Sequence, residues 1–115
     1  MRWIRALALL APLAGCGSAQ PGVTTCSPAD AQVENTSRLT VEQLYLARAE
    51  EAGWGADLLG SGGLPSRASL PIRFAGTGQY RLRVVWVNGQ AMEMRGVDGC
   101  LARRITILDG GMRAE

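Results

Sequence analysis

The chain contains no histidine and no lysine. Without histidine there is no Ser-His or Cys-His nucleophile pair and no imidazole metal ligand. Without lysine there is no Schiff-base amine and no P-loop. Acid–base work would fall to Asp, Glu, Tyr and Cys. Adjacent arginines are also absent near the start, so a twin-arginine export route is not indicated. The apolar run Ala6 to Leu13 is too short to span a bilayer, which takes roughly 20 residues.

What is there reads as an export signal. Arg2 and Arg5 form a positive n-region. Ala6 to Leu13, broken by Pro12, has the length of an h-region, roughly 7–15 residues. Leu13-Ala14-Gly15-Cys16 then matches the bacterial lipobox, in which the cysteine thiol is acylated before cleavage. The plainer alternative is an ordinary secretory signal with an incidental cysteine. The lipobox predicts residues 1–15 as signal peptide and Cys16 as the lipidation site. It places the protein in the cell envelope, held to a membrane by its lipid, with its domain in the periplasm. Gly17 is not the aspartate that favours inner-membrane retention in some bacteria, so the outer membrane is preferred.

The twelve basic residues are all arginine, against ten acidic ones. Arg2 and Arg5 leave with the signal, so the mature chain is balanced, and nothing points to nucleic acid. Of three cysteines, Cys16 carries lipid, which leaves Cys26 and Cys100. Beyond the inner membrane the two are expected to pair. Closing a loop of about 75 residues stabilises by roughly 4 kcal/mol. The other reading is two buried thiols. Two thiols without histidine make no zinc site, and neither a metal nor a cofactor is expected.

Residues 16–32 are rich in Gly, Ser, Ala, Pro and Thr and read as a lipidated N-terminus and flexible tether. Residues 33–109 read as the folded domain, and 110–115 as a frayed tail. Thr40 to Gly53 is ambiguous: a capping box at Thr40 and Gln43 slightly favours a helix, while the β-branched and aromatic residues up to Leu46 suit a strand. Ser69 to Phe74 alternates, with Leu70, Ile72 and Phe74 on one side. Pro71 marks it as an edge strand or a bulge. Tyr80 to Val97 is a hairpin about Asn88-Gly89. A three-residue loop, Val87-Asn88-Gly89, sets Val84 and Leu82 against Met92 and Met94, and Arg83 against Glu93. Arg104 to Leu108 is the last strand expected. The fold class is all-β: an antiparallel β-sandwich, immunoglobulin-like or similar, of about six or seven strands. A small open β-barrel is the alternative.

The chain resembles a group of small exported bacterial proteins, mostly without assigned function. The shared pattern is carried by Leu44-Tyr45-Leu46, Trp54-Gly55-Ala56-Asp57-Leu58-Leu59-Gly60 and Leu64-Pro65. It continues through Tyr80-Arg81-Leu82-Arg83, Asn88-Gly89, Gly96-Val97-Asp98-Gly99-Cys100 and Ile105-Thr106-Ile107. Similar proteins carry Pro- and Gly-containing text between the first two blocks, which cannot be helix. The resemblance therefore implies strand and then loop over Thr40 to Gly53. Similar proteins read Tyr-Asp-Leu-Arg where this chain has Arg81. Many have a cysteine just before that tyrosine, where this chain has Gly78 and Gln79. Cys26 then stands in for that partner of Cys100. The resemblance implies no activity.

Candidate functional residues are few. Trp54 and Leu58 could form a binding loop, although such a Trp more often plugs a small core. Arg81 and Arg83, with Arg95, Arg103 and Arg104, could bind anions, although a solvated sheet face is commoner. Asp57, Asp98 and Asp109 lack calcium-loop spacing, and Glu50-Glu51 does not make a glycosidase pair. Met92 and Met94 read as core filler. The function expected is a non-catalytic module that binds an envelope protein. The first alternative is an inhibitor of an envelope hydrolase that presents the Ala47–Gly60 loop; it would fail if that loop packed flat on the sheet. An Asp/Glu hydrolase is third.

Overall fold

The computed structural model describes residues 30–115. The expected signal peptide (residues 1–15), Cys16 and Cys26 lie outside the described residues. The described residues are all-β, with seven strands: β1 Asp30–Asn35, β2 Val41–Arg48, β3 Ser69–Arg73, β4 Gln79–Trp86, β5 Ala91–Asp98, β6 Arg104–Leu108 and β7 Gly111–Ala114. They form two sheets, one ordered β3-β1-β6-β7 and the other β2-β4-β5. This is a two-sheet sandwich rather than a closed barrel.

Alternation builds the core. Ala31 and Val33 of β1, Ile72 of β3, Ile105 and Ile107 of β6 point in from one sheet. Leu44 of β2 and Tyr80, Leu82, Val84 and Trp86 of β4 point in from the other. Phe74, just past β3, packs on Tyr80 with ring centroids 4.9 Å apart. A polar cluster ties the two sheets together at one end. Buried Asn35 donates to the carbonyls of Leu39 and Leu64, both at 2.9 Å. Its Oδ1 accepts the Ser37 amide at 3.0 Å and the Ser37 hydroxyl. That hydroxyl accepts in turn from Trp86 Nε1 at 3.0 Å.

The β4–β5 hairpin has the register expected: Leu82 opposite Met94, Arg83 opposite Glu93, Val84 opposite Met92. Gly89 takes the left-handed position, with φ 87°. β3 is an edge strand, as Pro71 requires. Over Thr40 to Gly53 the capping box does not form. Residues Val41–Arg48 are a strand, because pairing with β4 across nearly its whole length outweighs a local preference for helix.

Several expectations are corrected. β1 begins at Asp30, inside the segment read as tether, because Ala31 is buried and Asp30 pairs with Arg73. Residues 110–115 are not frayed: β7 pairs antiparallel with β6 through Thr106 opposite Arg113 and Ile107 opposite Met112. A four-residue strand that begins at the second of two glycines carries too little pattern to be seen in sequence. One strand pair is not antiparallel, since β1 and β6 run parallel. Parallel neighbours need a long crossover, and here the intervening chain builds β3 and the whole second sheet.

Candidate functional site

The outer face of the β2-β4-β5 sheet collects the residues singled out in the sequence. Cross-strand pairing sets Tyr45 beside Arg83 and Ala47 beside Arg81. The segment after β2 folds back over this face. Trp54 lies 4.1 Å from the Arg81 guanidinium, and its ring is 6.4 Å from Tyr45. Arg81 also donates to the carbonyls of Glu51 at 2.7 Å and Gly53 at 2.8 Å. Arg83 pairs with Glu93 at 3.2 Å. Trp54 is thus half-buried on the outer surface and does not plug the core, as sequence reasoning favoured. Arg81 is engaged within the protein, and Arg83 is neutralised by its cross-strand partner.

Further along the same segment, Asp57 Oδ1 accepts the amides of Leu44 and Leu59, both at 2.9 Å. The Leu58 amide donates to Leu44 O at 2.8 Å. These bonds satisfy both backbone groups of Leu44 on the free edge of β2, an edge that otherwise templates pairing with another chain. Leu59 is buried in the core while Leu58 stays largely exposed. Four residues of Trp54-Gly55-Ala56-Asp57-Leu58-Leu59-Gly60 therefore have a physical job. The Trp stacks on Arg81, Gly55 turns at φ 71°, the Asp closes the edge and the second Leu anchors. The segment is tied along the sheet edge and face. Between these ties most of its residues, Glu50 to Gly53 and Gly55 to Leu58, stay exposed.

The other aspartates also hold loops. Asp98 Oδ1 accepts the Cys100 amide at 2.8 Å, and Cys100 is half-buried in the β5–β6 turn. Asp109 accepts the Arg38 amide at 2.8 Å and Arg38 Nε at 3.0 Å. The amide bond, more than the guanidinium, holds the Asp109 carboxyl below its usual range. Arg73 does the same for Asp30. Among the described residues no group of three His, Cys, Asp or Glu could hold a metal ion.

One surface was missed. At the end of the sandwich away from where β1 begins, a cleft of about 450 Å³ is lined by Ser37, Arg38, Leu39, Trp86, Gln90 and Asp109. A smaller cleft of about 240 Å³ adjoins it, reaching Met92 and sharing Trp86, Gln90 and Gly110. Two of the exposed large hydrophobics line these clefts, Leu39 and Met92. They come from the β1–β2 loop and β5, and only folding brings them together. Comparison of the chain with protein-family models, curated proteins and solved structures returned no match.

Proposed function

We propose that this protein is a lipid-anchored envelope protein whose sandwich serves as a non-catalytic protein-interaction module. The anchor reading rests on Leu13-Ala14-Gly15-Cys16 behind its n- and h-regions. The observation that carries the binding role is the placement of this cleft, where exposed Leu39 and Met92 lie beside the Arg38–Asp109 pair. The chain enters β1 at the end that also holds the β5–β6 turn, where Gln32 donates to Arg103 O at 2.9 Å. A tether from Cys16 holds that end toward the membrane. Leu39 and Met92 are exposed at the opposite end, toward the periplasm, and apolar surface gathered at one place favours association. A disulfide between Cys26 and Cys100 belongs to this reading. The parallel register sets Gln32 opposite Arg104. It brings both approaches, from Cys26 and from Cys100, to one end of the domain.

The test is photo-crosslinking in living cells from residue 39, at the cleft, and from residue 101, at the membrane-facing end. A discrete protein adduct from residue 39 and none from residue 101 is expected. Adducts of the reverse pattern would overturn the assignment of the cleft. Mass spectrometry of the mature N-terminus, with Cys16→Ser as control, tests the anchor separately.

A further inference from the structure

Three of the four sheet edges are protected by the protein itself. The β2 edge is closed by Asp57 and Leu58. The β3 edge carries Pro71, which has no amide proton to offer. The β7 edge is four residues long. The β5 edge is different: it has eight residues, and among the described residues no strand hydrogen-bonds to its outer side. Trp86 N–H donates to Gln90 O at 2.8 Å, so Trp86–Gln90 is a hydrogen-bonded pair. Alternate pairs of the hairpin, Val84–Met92 and Leu82–Met94, then bond toward β4. The backbone groups of Ala91, Glu93 and Arg95 consequently point outward, along the open edge.

From this edge we infer that the chain self-associates, with β5 of one copy pairing antiparallel with β5 of a second copy about a two-fold axis at Met94. The argument is charge complementarity. In this register Glu93 of each copy faces Arg95 of the other, twice by symmetry, and both residues have outward-pointing backbone groups that can bond. Arg83, already 3.2 Å from Glu93, extends the pair to an arginine–glutamate–arginine row across the joined sheets. On the other face Met94 meets Met94 and shelters Met92, which is 37% exposed in the single chain. Sliding by two residues puts Glu93 against Glu93 or Arg95 against Arg95, and like charges directly opposite are destabilising. Sliding by one would set core-facing against solvent-facing side chains. One register therefore stands out. The irregularity between Tyr80 and Leu82, with Gly96 at φ 72°, ends the paired stretch at Arg95. The result is a six-stranded sheet, β2-β4-β5 continued through its symmetric copy. This inference does not depend on the lipid anchor or on the cleft.

Sedimentation equilibrium of the full chain in a nonionic detergent tests it. Concentration-dependent dimers are expected for the wild type. E93R and R95E alone each set like charges opposite and should weaken the dimer by about tenfold or more. Mixing the two variants restores opposite charges at both positions, and the mixture should dimerise nearly as well as wild type. Under oxidation, M94C should cross-link to itself, because two residues facing each other in a non-hydrogen-bonded pair stand about 4.5 Å apart at Cα. M92C, opposite Gly96, should not. A wild type that stays monomeric into the millimolar range overturns the inference. So does undiminished dimerisation of E93R and R95E, or cross-linking of M92C in preference to M94C.

Discussion

Asn35 offers the sharpest test of how the two sheets are held together. Its side chain is fully buried and makes four hydrogen bonds. Asn35→Ala removes all four, but the losses are unequal. The Leu64 carbonyl keeps the Val41 amide at 3.0 Å. The Leu39 carbonyl can take the Ser37 hydroxyl proton, already 3.0 Å away. The Ser37 amide is left with no partner in a buried site, which costs about 1–3 kcal/mol, and a small void adds to it. A total loss of about 2–4 kcal/mol is expected. With an m-value of about 1 kcal/mol/M for a domain of this size, the urea midpoint falls by about 2–4 M. Urea titration followed by tryptophan fluorescence and circular dichroism reads this directly. Asn35→Asp should be worse at neutral pH, because a carboxylate would face two carbonyl oxygens. Ser37→Ala, which strands Trp86 Nε1, should cost about 1–2 kcal/mol. An Asn35→Ala protein within about 0.5 kcal/mol of wild type would refute the account of this cluster.

Other outcomes follow from the same geometry. Arg81→Ala should loosen residues 50–56, seen as faster amide exchange there and greater quenching of Trp54 by acrylamide, with a stability loss of about 1–2 kcal/mol; an unchanged exchange pattern would contradict the stacking role. Gly63→Ala should destabilise by about 2 kcal/mol or more in thermal melts, because φ is 64° and a Cβ would drive into the Val41 carbonyl. Asp30 and Asp109 both titrate below 3.8. Depressed carboxylates stabilise at pH values above 3.8 and lose that contribution as pH falls through their folded values. In carboxyl NMR titrations Arg73→Ala should return Asp30 to the ordinary range. Arg38→Ala should leave much of the Asp109 depression, since the backbone amide remains.

Local pattern was enough for the elements whose alternation is strong and whose turns are chemically marked. The β4–β5 hairpin is the clearest case. Asn88-Gly89 and the positions of Met92 and Met94 leave one register that keeps charges off the buried face, and it is the register found. The same holds for Pro71 on an edge strand. β2 was harder, because Thr40 and Gln43 satisfy a helix cap locally while Leu44 and Leu46 satisfy a strand only if β4 is there to pair.

The amino-acid sequence alone determined the absence of lysine and histidine side chains, the all-β class and one hairpin down to its register. Each depends on residue identity or on neighbours within a few positions. Tertiary structure alone decided that Trp54 stacks outside rather than inside, that Asp57 closes the β2 edge thirteen positions away at Leu44, and that β1 and β6 run parallel. It also decided that Leu39, Trp86 and Met92 share one end. These contacts join segments tens of residues apart. Their free energy appears only once the chain has closed the loops between them, so no local window of sequence carries their signal.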